Sequence, residues 1–191
     1  MKFRIMLAGL AALSLSACGI NSIPTAEENA KAKWADVQNA YQRRADLIPN
    51  LVATVKGAGA QEKDILVQVT QARASASQVR VSPDDLGDPA KVQQFQQAQA
   101  GLTMSLQRLQ EAYPELRSQA NYTTLMGQLE GTENRIAITR KDYNDAVQAY
   151  NTRIRTFPDA IGARVFYGAK PMTPFQAQAG AEAAPKVDFG S

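Results

Sequence analysis

Apolar residues recur along this chain at helical spacing almost from end to end. Trp34, Tyr41, Ile48 and Val55 stand seven apart, with Val37, Ala45, Leu51 and Val52 in the adjoining rows. One inward stripe of this kind predicts a helix over 25–56. Thr25 and Glu28 have capping-box spacing, and Gly57 and Gly59 supply a stop. Pro49 lies inside the stripe, which continues beyond it, so one kinked helix is expected rather than two. A second helix, over 61–81, carries the smaller stripe Ile65, Val69, Ala72, Ala76 and Val79. Ser82 to Pro89 holds two prolines and a glycine without an apolar period and reads as a loop. A third helix runs on Phe95, Leu102, Leu109 and Leu116, with Val92, Leu106 and Tyr113 beside them. Because Leu116 keeps register, Pro114 is read as a kink near its end, with a true turn as the alternative. The fourth, over 121–155, carries Tyr122, Leu129, Ile136, Tyr143 and Tyr150, with Phe157 next in the series.

Four amphipathic helices with short connections predict an all-α antiparallel bundle, kinked at Pro49 and near Pro114. After Phe157-Pro158, the residues Ile161, Val165, Phe166 and Phe175 are expected to bind an irregular segment back onto it. From about Gln176 the Ala/Gly/Pro-rich tail has little to bury and is expected to be disordered.

The first residues follow different rules. Lys2 and Arg4 precede the apolar run Ile5–Leu15, which falls short of the roughly 20 residues needed to span a bilayer and reads as a signal segment. It ends in Leu15-Ser16-Ala17-Cys18, which resembles the lipobox of bacterial lipoproteins: small residues fit the peptidase, and the thiol takes diacylglycerol. Cys18 is the only cysteine, and a thioether removes the oxidation hazard of a lone thiol in an exported chain. Gly19 stands where Asp would favour inner-membrane retention, so by resemblance to Gram-negative sorting the outer membrane, facing the periplasm, is expected if the organism has one. The chain thus divides into a cleaved signal (1–17), a lipidated N-terminus and tether (18–24), a bundle domain with an irregular C-terminal segment (25–175) and a tail (176–191).

Charge narrows the partners. Removal of Lys2 and Arg4 leaves 19 basic against 18 acidic side chains, a net charge of +1, and there is no Lys/Arg-rich tract. Nucleic acid is therefore not an expected partner. There is no histidine. That removes Ser-His-Asp triads, HExxH zinc sites, phosphohistidine relays and the Glu-x-x-His ligands of di-iron bundles, so neither a metal nor another cofactor is expected. Carboxylate chemistry remains open on paper. Glu130 and Glu133 share a helix face, but acid pairs three apart are routine on solvated helices, and a slender bundle offers no evident cleft.

Arg43, Arg44, Asp46 and Asn50 cluster beside the Tyr41/Ile48 stripe. They have two readings: a salt-bridge layer against Glu133 or Arg140 on the fourth helix that sets register, or a docking surface for a partner. Antiparallel packing predicts that Arg43 or Arg44 meets Glu133. Tyr143-Asn144 and Tyr150-Asn151 repeat at seven residues, expected as core tyrosines with hydroxyls satisfied at the bundle edge.

The run Tyr41-Gln42-Arg43-Arg44-Ala45-Asp46-Leu47-Ile48-Pro49-Asn50-Leu51-Val52, with Val55-Lys56-Gly57, resembles the first signature of the LemA family. A second stretch resembles it too: Glu111 to Leu116, Asn121-Tyr122, Leu129 to Ile136, Arg140, Tyr143-Asn144, Ala146-Val147, Tyr150-Asn151 and Phe157-Pro158. The resemblance covers most of 30–160. It implies long helices held to a membrane by a lipid or a single N-terminal segment, and it implies no particular reaction. Many relatives use a transmembrane anchor where this chain has a lipobox. Nothing resembles a kinase, since a Gly-rich phosphate loop, a catalytic histidine and an alternating α/β pattern are all missing. The functional expectation is a non-enzymatic envelope lipoprotein that scaffolds or modulates other envelope proteins. The alternative is a carboxylate-dependent hydrolase of cell-wall or phosphate-bearing substrates.

Overall fold

A computed structural model describes residues 21–59 and 63–176. The signal segment, Cys18 and the tail from 177 lie outside the described residues. Four long helices run up and down: α1 (Ser22–Gly57), α2 (Lys63–Gln78), α3 (Pro89–Ala112) and α4 (Ala120–Arg153). Single 3-10 turns, Pro83–Gly87 and Pro114–Ser118, lead into α3 and α4. A short α5 (Asp159–Gly162) and a π turn (Ala163–Tyr167) follow α4, and there is no strand among the described residues.

The predicted seams are the core. Trp34, Ile48 and Val55 of α1 and Leu102 and Leu109 of α3 have no exposed surface, and Tyr122, Leu129, Ile136, Tyr143 and Tyr150 of α4 are buried. The longest interface joins α1 to α4, with α2 and α3 packed as a second pair. One helix outruns the rest: α1 has 36 residues and α2 only 16, so α2 covers α1 over part of its length. Leu66, which the stripe drawn from the sequence omits, is buried on α2, while Ile65 and Ala72 sit at the margin.

Helix ends depart from expectation in three places. Helix α1 begins at Ser22, so Thr25 is no cap; its hydroxyl donates to the Asn21 carbonyl at 2.8 Å, and Glu28 pairs with Lys31. The expected kink near Pro114 is a break. Tyr113 leaves helical geometry (φ −126°, ψ 61°), as a residue before proline is driven to do, and a 3-10 turn follows. Last, Phe157, Ile161, Val165 and Phe166 do not fold back; they are exposed, whereas Ala163, Met172 and Phe175 reach the core. Helix α4 ends at Arg153, short of Phe157, so the seven-residue series has no helix to carry it there.

Two local devices fit the sequence. Asp88 caps α3 by accepting from the Ala90 and Lys91 amides, with Pro89 opening the helix. After α1, Gly59 adopts φ 84°, a conformation costly for any residue with a Cβ. At Pro49, α1 runs on unbroken. Proline has no N–H for the carbonyl four residues earlier, that of Ala45. Arg73 of α2 takes the vacancy, its Nε donating to the Ala45 oxygen at 2.8 Å.

Candidate functional site

The centre of the bundle is polar. Arg44 stands on the inward row of α1, between Tyr41 and Ile48, and is 1% exposed. A buried guanidinium needs acceptors, and Arg44 finds them for both Nη atoms, while Nε has none. Nη1 donates to Glu133 Oε1 of α4 at 2.6 Å and to Thr103 Oγ1 of α3 at 2.8 Å. Nη2 donates to the side-chain oxygen of Gln99 at 2.7 Å and to its carbonyl at 3.2 Å. Gln99 then donates from Nε2 to the Ala76 carbonyl of α2 at 3.1 Å. One network therefore touches all four long helices at one level. The guanidinium also lies 5.1 Å from the Tyr41 ring centroid. Burial raises the Tyr41 hydroxyl above its ordinary pKa, while Arg140 and Arg44 oppose that shift.

The pairing expected of Arg43 or Arg44 thus falls to Arg44. Arg43, Asp46 and Asn50 face outward and are exposed, with Asp46 accepting from Gln42 at 2.7 Å. Arg140 joins neither set. It lies over the Phe175 ring at 4.8 Å and donates to the Gln176 carbonyl at 3.2 Å. The acid pair of α4 is likewise divided, since Glu133 is engaged by Arg44 while Glu130 is exposed on its own. Hollows of about 570 and 650 Å³ flank the layer. The first is lined by Leu106, Tyr122, Met126 and Glu130, the second by Gln93, Gln96, Gln99 and Arg140. Among the described residues, no three His, Cys, Asp or Glu side chains are grouped to hold a metal.

Gln99 and Thr103 were missed from the sequence, although Gln99 left a trace. Val92, Phe95, Leu102, Leu106 and Leu109 leave a place in the 3-4 series at 99, and a polar residue there must be paired. On α4, the buried Thr132 and Thr139 satisfy themselves on carbonyls of their own helix.

The Tyr-Asn repeat does more than pack. Asn151 holds both backbone groups of Met172, accepting from its N–H at 2.9 Å and donating to its carbonyl at 2.8 Å. Asn144 does the same for Phe175, at 2.8 and 3.0 Å. Tyr150 and Tyr143 donate to the carbonyls of Lys170 and Thr173 at 3.1 and 2.9 Å. Seven residues of α-helix advance about 10.5 Å, and three extended residues cover about 10 Å. The repeat therefore meets the extended segment in phase, and it seats Phe175 against Trp34 (5.6 Å between centroids) and Tyr143 (5.5 Å).

Fold and layer together define an antiparallel helical bundle keyed by a buried arginine, with a C-terminal segment clamped along α4. The LemA family model matches residues 33–189, most of the chain, and the protein belongs to that family. The match runs past Phe175 into the tail, farther than the motifs quoted above extend. Magnetosome protein MamQ 2 of Paramagnetospirillum magneticum is 29% identical over 157 residues, covering 72% of this chain and 58% of the relative. Magnetosome protein MamQ of Magnetospirillum gryphiswaldense is 28% identical with the same coverage. The chain thus spans rather more than half the length of these curated relatives.

Proposed function

We propose that this protein is a bacterial envelope lipoprotein, cleaved before Cys18, lipidated there, and working without catalysis as a tethered bundle that scaffolds or modulates other envelope proteins. The lipobox-like Leu15-Ser16-Ala17-Cys18 supports the anchor. No helix among the described residues is long and apolar enough to cross a membrane. One observation carries the docking part of the reading. Within a single stretch of α1, Arg44 is consumed by the bundle interior, while Arg43, Asp46 and Asn50 stay on the exposed outer face, where Asp46 accepts from Gln42 of the same helix. The competing hydrolase reading needs two available carboxylates, and the engagement of Glu133 by Arg44 reduces the α4 pair to Glu130.

The test uses intact envelopes. Cys18→Ser is expected to leave unprocessed or soluble protein, and globomycin to accumulate the precursor. Mature Cys18→Ser protein that still fractionates with membranes would overturn the lipid anchor. The triple variant Arg43→Ala/Asp46→Ala/Asn50→Ala is expected to melt like the parent yet lose crosslinks to envelope proteins. Unchanged crosslinks in a folded triple variant would remove this face as the docking surface.

A further inference from the structure

The end of the molecule beyond α4 exposes side chains that a water-soluble surface would not be expected to display. Phe157 is 82% exposed, Ile161 57%, Val165 68% and Phe166 67%, all within residues 157–166. Ile161 and Val165, four apart on the stretch formed by α5 and the π turn, share one side of it, and the two phenylalanines flank them. So dense an apolar group on one tip marks a contact surface.

Its place in the fold indicates what it contacts. Ser22, the first residue of α1, donates its hydroxyl to Asp159 Oδ2 at 2.9 Å, so the start of α1 and the apolar tip are one end of the molecule. Cys18 precedes Ser22 by four residues, and four residues of chain reach at most about 14 Å. From Ser22 to the Arg44 layer, by contrast, α1 extends about 33 Å. Acyl chains on Cys18 would therefore keep this tip nearest the bilayer. The charges agree. Arg153, Arg155 and Arg164 are exposed around the tip, whereas among the described acids at this end Asp159 accepts from Ser22, and Glu27 and Glu28, farther into α1, pair with Lys31. The acidic turn at Asp84 and Asp85 lies farther back, beside Thr173, which donates to the Leu86 carbonyl.

From this we infer that Phe157, Ile161, Val165 and Phe166 form a membrane-seating tip: the apolar side chains enter the headgroup boundary, and the arginines meet anionic lipid phosphates. The bundle then stands upright on the surface rather than lying along it. Apolar insertion combined with basic residues is the usual second signal that reinforces a lipid anchor. The inference rests on lipidation at Cys18.

The test places a reporter at the tip of the full, membrane-purified protein. Phe166→Trp is compared with Met104→Trp, an exposed site at the level of the Arg44 layer, in phosphatidylethanolamine/phosphatidylglycerol vesicles carrying brominated acyl chains. The native Trp34 is fully buried and supplies a constant background. Phe166→Trp emission should shift to the blue and lose intensity to the brominated lipid, and Met104→Trp should not respond. Adding Arg164→Glu to the Phe166→Trp protein should weaken the quenching on anionic vesicles only. Equal, unquenched emission from positions 166 and 104 would overturn the tip. So would a blue shift at 166 that grows with protein concentration without lipid, which would assign the face to a second copy. Mass measurement of the N-terminal peptide reports acylation separately: without acyl chains the anchor reading fails, while quenching at 166 still decides the tip.

Discussion

The two halves of the core, one on each side of the Arg44 layer, are made of different material. Toward the α1 C-terminus the interior is mainly aliphatic, with Ile48, Leu51, Leu66, Leu102, Leu109 and Leu129, and the four helices close it with Tyr113 and Leu116 of the α3–α4 connection. Toward the α1 N-terminus it is aromatic, with Trp34, Tyr41, Phe95, Tyr143, Tyr150 and Phe175. The difference follows from helix supply. Helix α2 ends at Gln78, so beyond that level α1, α3 and α4 leave a gap. Val81, Leu86, Met172 and Phe175 fill it from chain outside the four long helices. Extended backbone brought to a core must have its polar groups satisfied. Trp34 and Gln38 accordingly donate to the Val81 carbonyl, each at 3.0 Å, and the Tyr-Asn pairs serve residues 170–175. Large rings reach across the wider span left by a missing helix, and their polar atoms are used to hold its replacement.

The contrast can be broken by mutation. Trp34→Ala should cost the most, about 3–5 kcal/mol, because it removes the ring on which Phe95, Tyr143 and Phe175 converge and also a hydrogen bond to the Val81 carbonyl. Leu109→Ala in the aliphatic half should cost about 2–5 kcal/mol. Denaturant titrations followed by circular dichroism compare the two, and a milder effect at Trp34 would show that the aromatic half contributes less than its packing implies.

At the boundary, Glu133→Ala should cost about 1–3 kcal/mol. That lies below the roughly 3–5 kcal/mol of a fully buried pair broken on one side. Glu133 is 43% exposed, and Gln99 and Thr103 remain as acceptors for Arg44. A double-mutant cycle with Arg44→Met reads the coupling, and none at all would mean that the layer does not depend on charge. Asn151→Ala strands both backbone groups of Met172 and should cost about 1–3 kcal/mol. Limited proteolysis should then cut within 168–176 while the four helices stay intact; protection equal to the parent would refute the clamp.

The smallest effect is on pH dependence. Burial raises the hydroxyls of Tyr41, Tyr143 and Tyr150 in the aromatic half, and of Tyr122 in the other, above their ordinary pKa. With the folded value above the unfolded one, the contribution is whole below about pH 10 and is lost as pH rises through the folded value. Stability should be level between about pH 5 and 8, where the chain has no histidine to titrate, and fall in alkali. Tyr143→Phe should cost about 0.5–1.5 kcal/mol at neutral pH and flatten the alkaline fall. An unchanged alkaline limb would assign the loss to other groups.

The aliphatic half was legible because its rule is local: leucines spaced three and four apart state which face is inward, and every seam residue named from α3 is buried. Arg44 was half legible. Arg43 and Arg44 are chemically alike, and only the strict row through Trp34, Val37, Tyr41 and Ile48 places 44 inside and 43 outside. Gln99 was passed over because one polar residue in a seam of leucines reads as noise until its partner on another helix is known. In the aromatic half the rings of α1, α3 and α4 and the return of Phe175 were legible, but the Tyr-Asn repeat showed its spacing without showing that its partner is the backbone of residues 170–175. Phe157, Ile161, Val165 and Phe166 misled for the same reason: an apolar side chain signals a need for contact without naming the surface that supplies it.

The carbonyl that Pro49 leaves without an amide is the only such opening that proline makes in α1, and it occurs at one height. A regular helix is a ladder of identical rungs, on which a neighbour could slide by a turn, about 5.4 Å, and find nearly the same surface. The missing rung ends that degeneracy. Sliding α2 either way would take the Arg73 guanidinium off its acceptor and leave the Ala45 oxygen facing the interface unpaired, so misaligned packings are penalised twice. Proline here behaves as a notch cut into a rail: it gives up one bond within the helix and in return specifies where the next helix must stop.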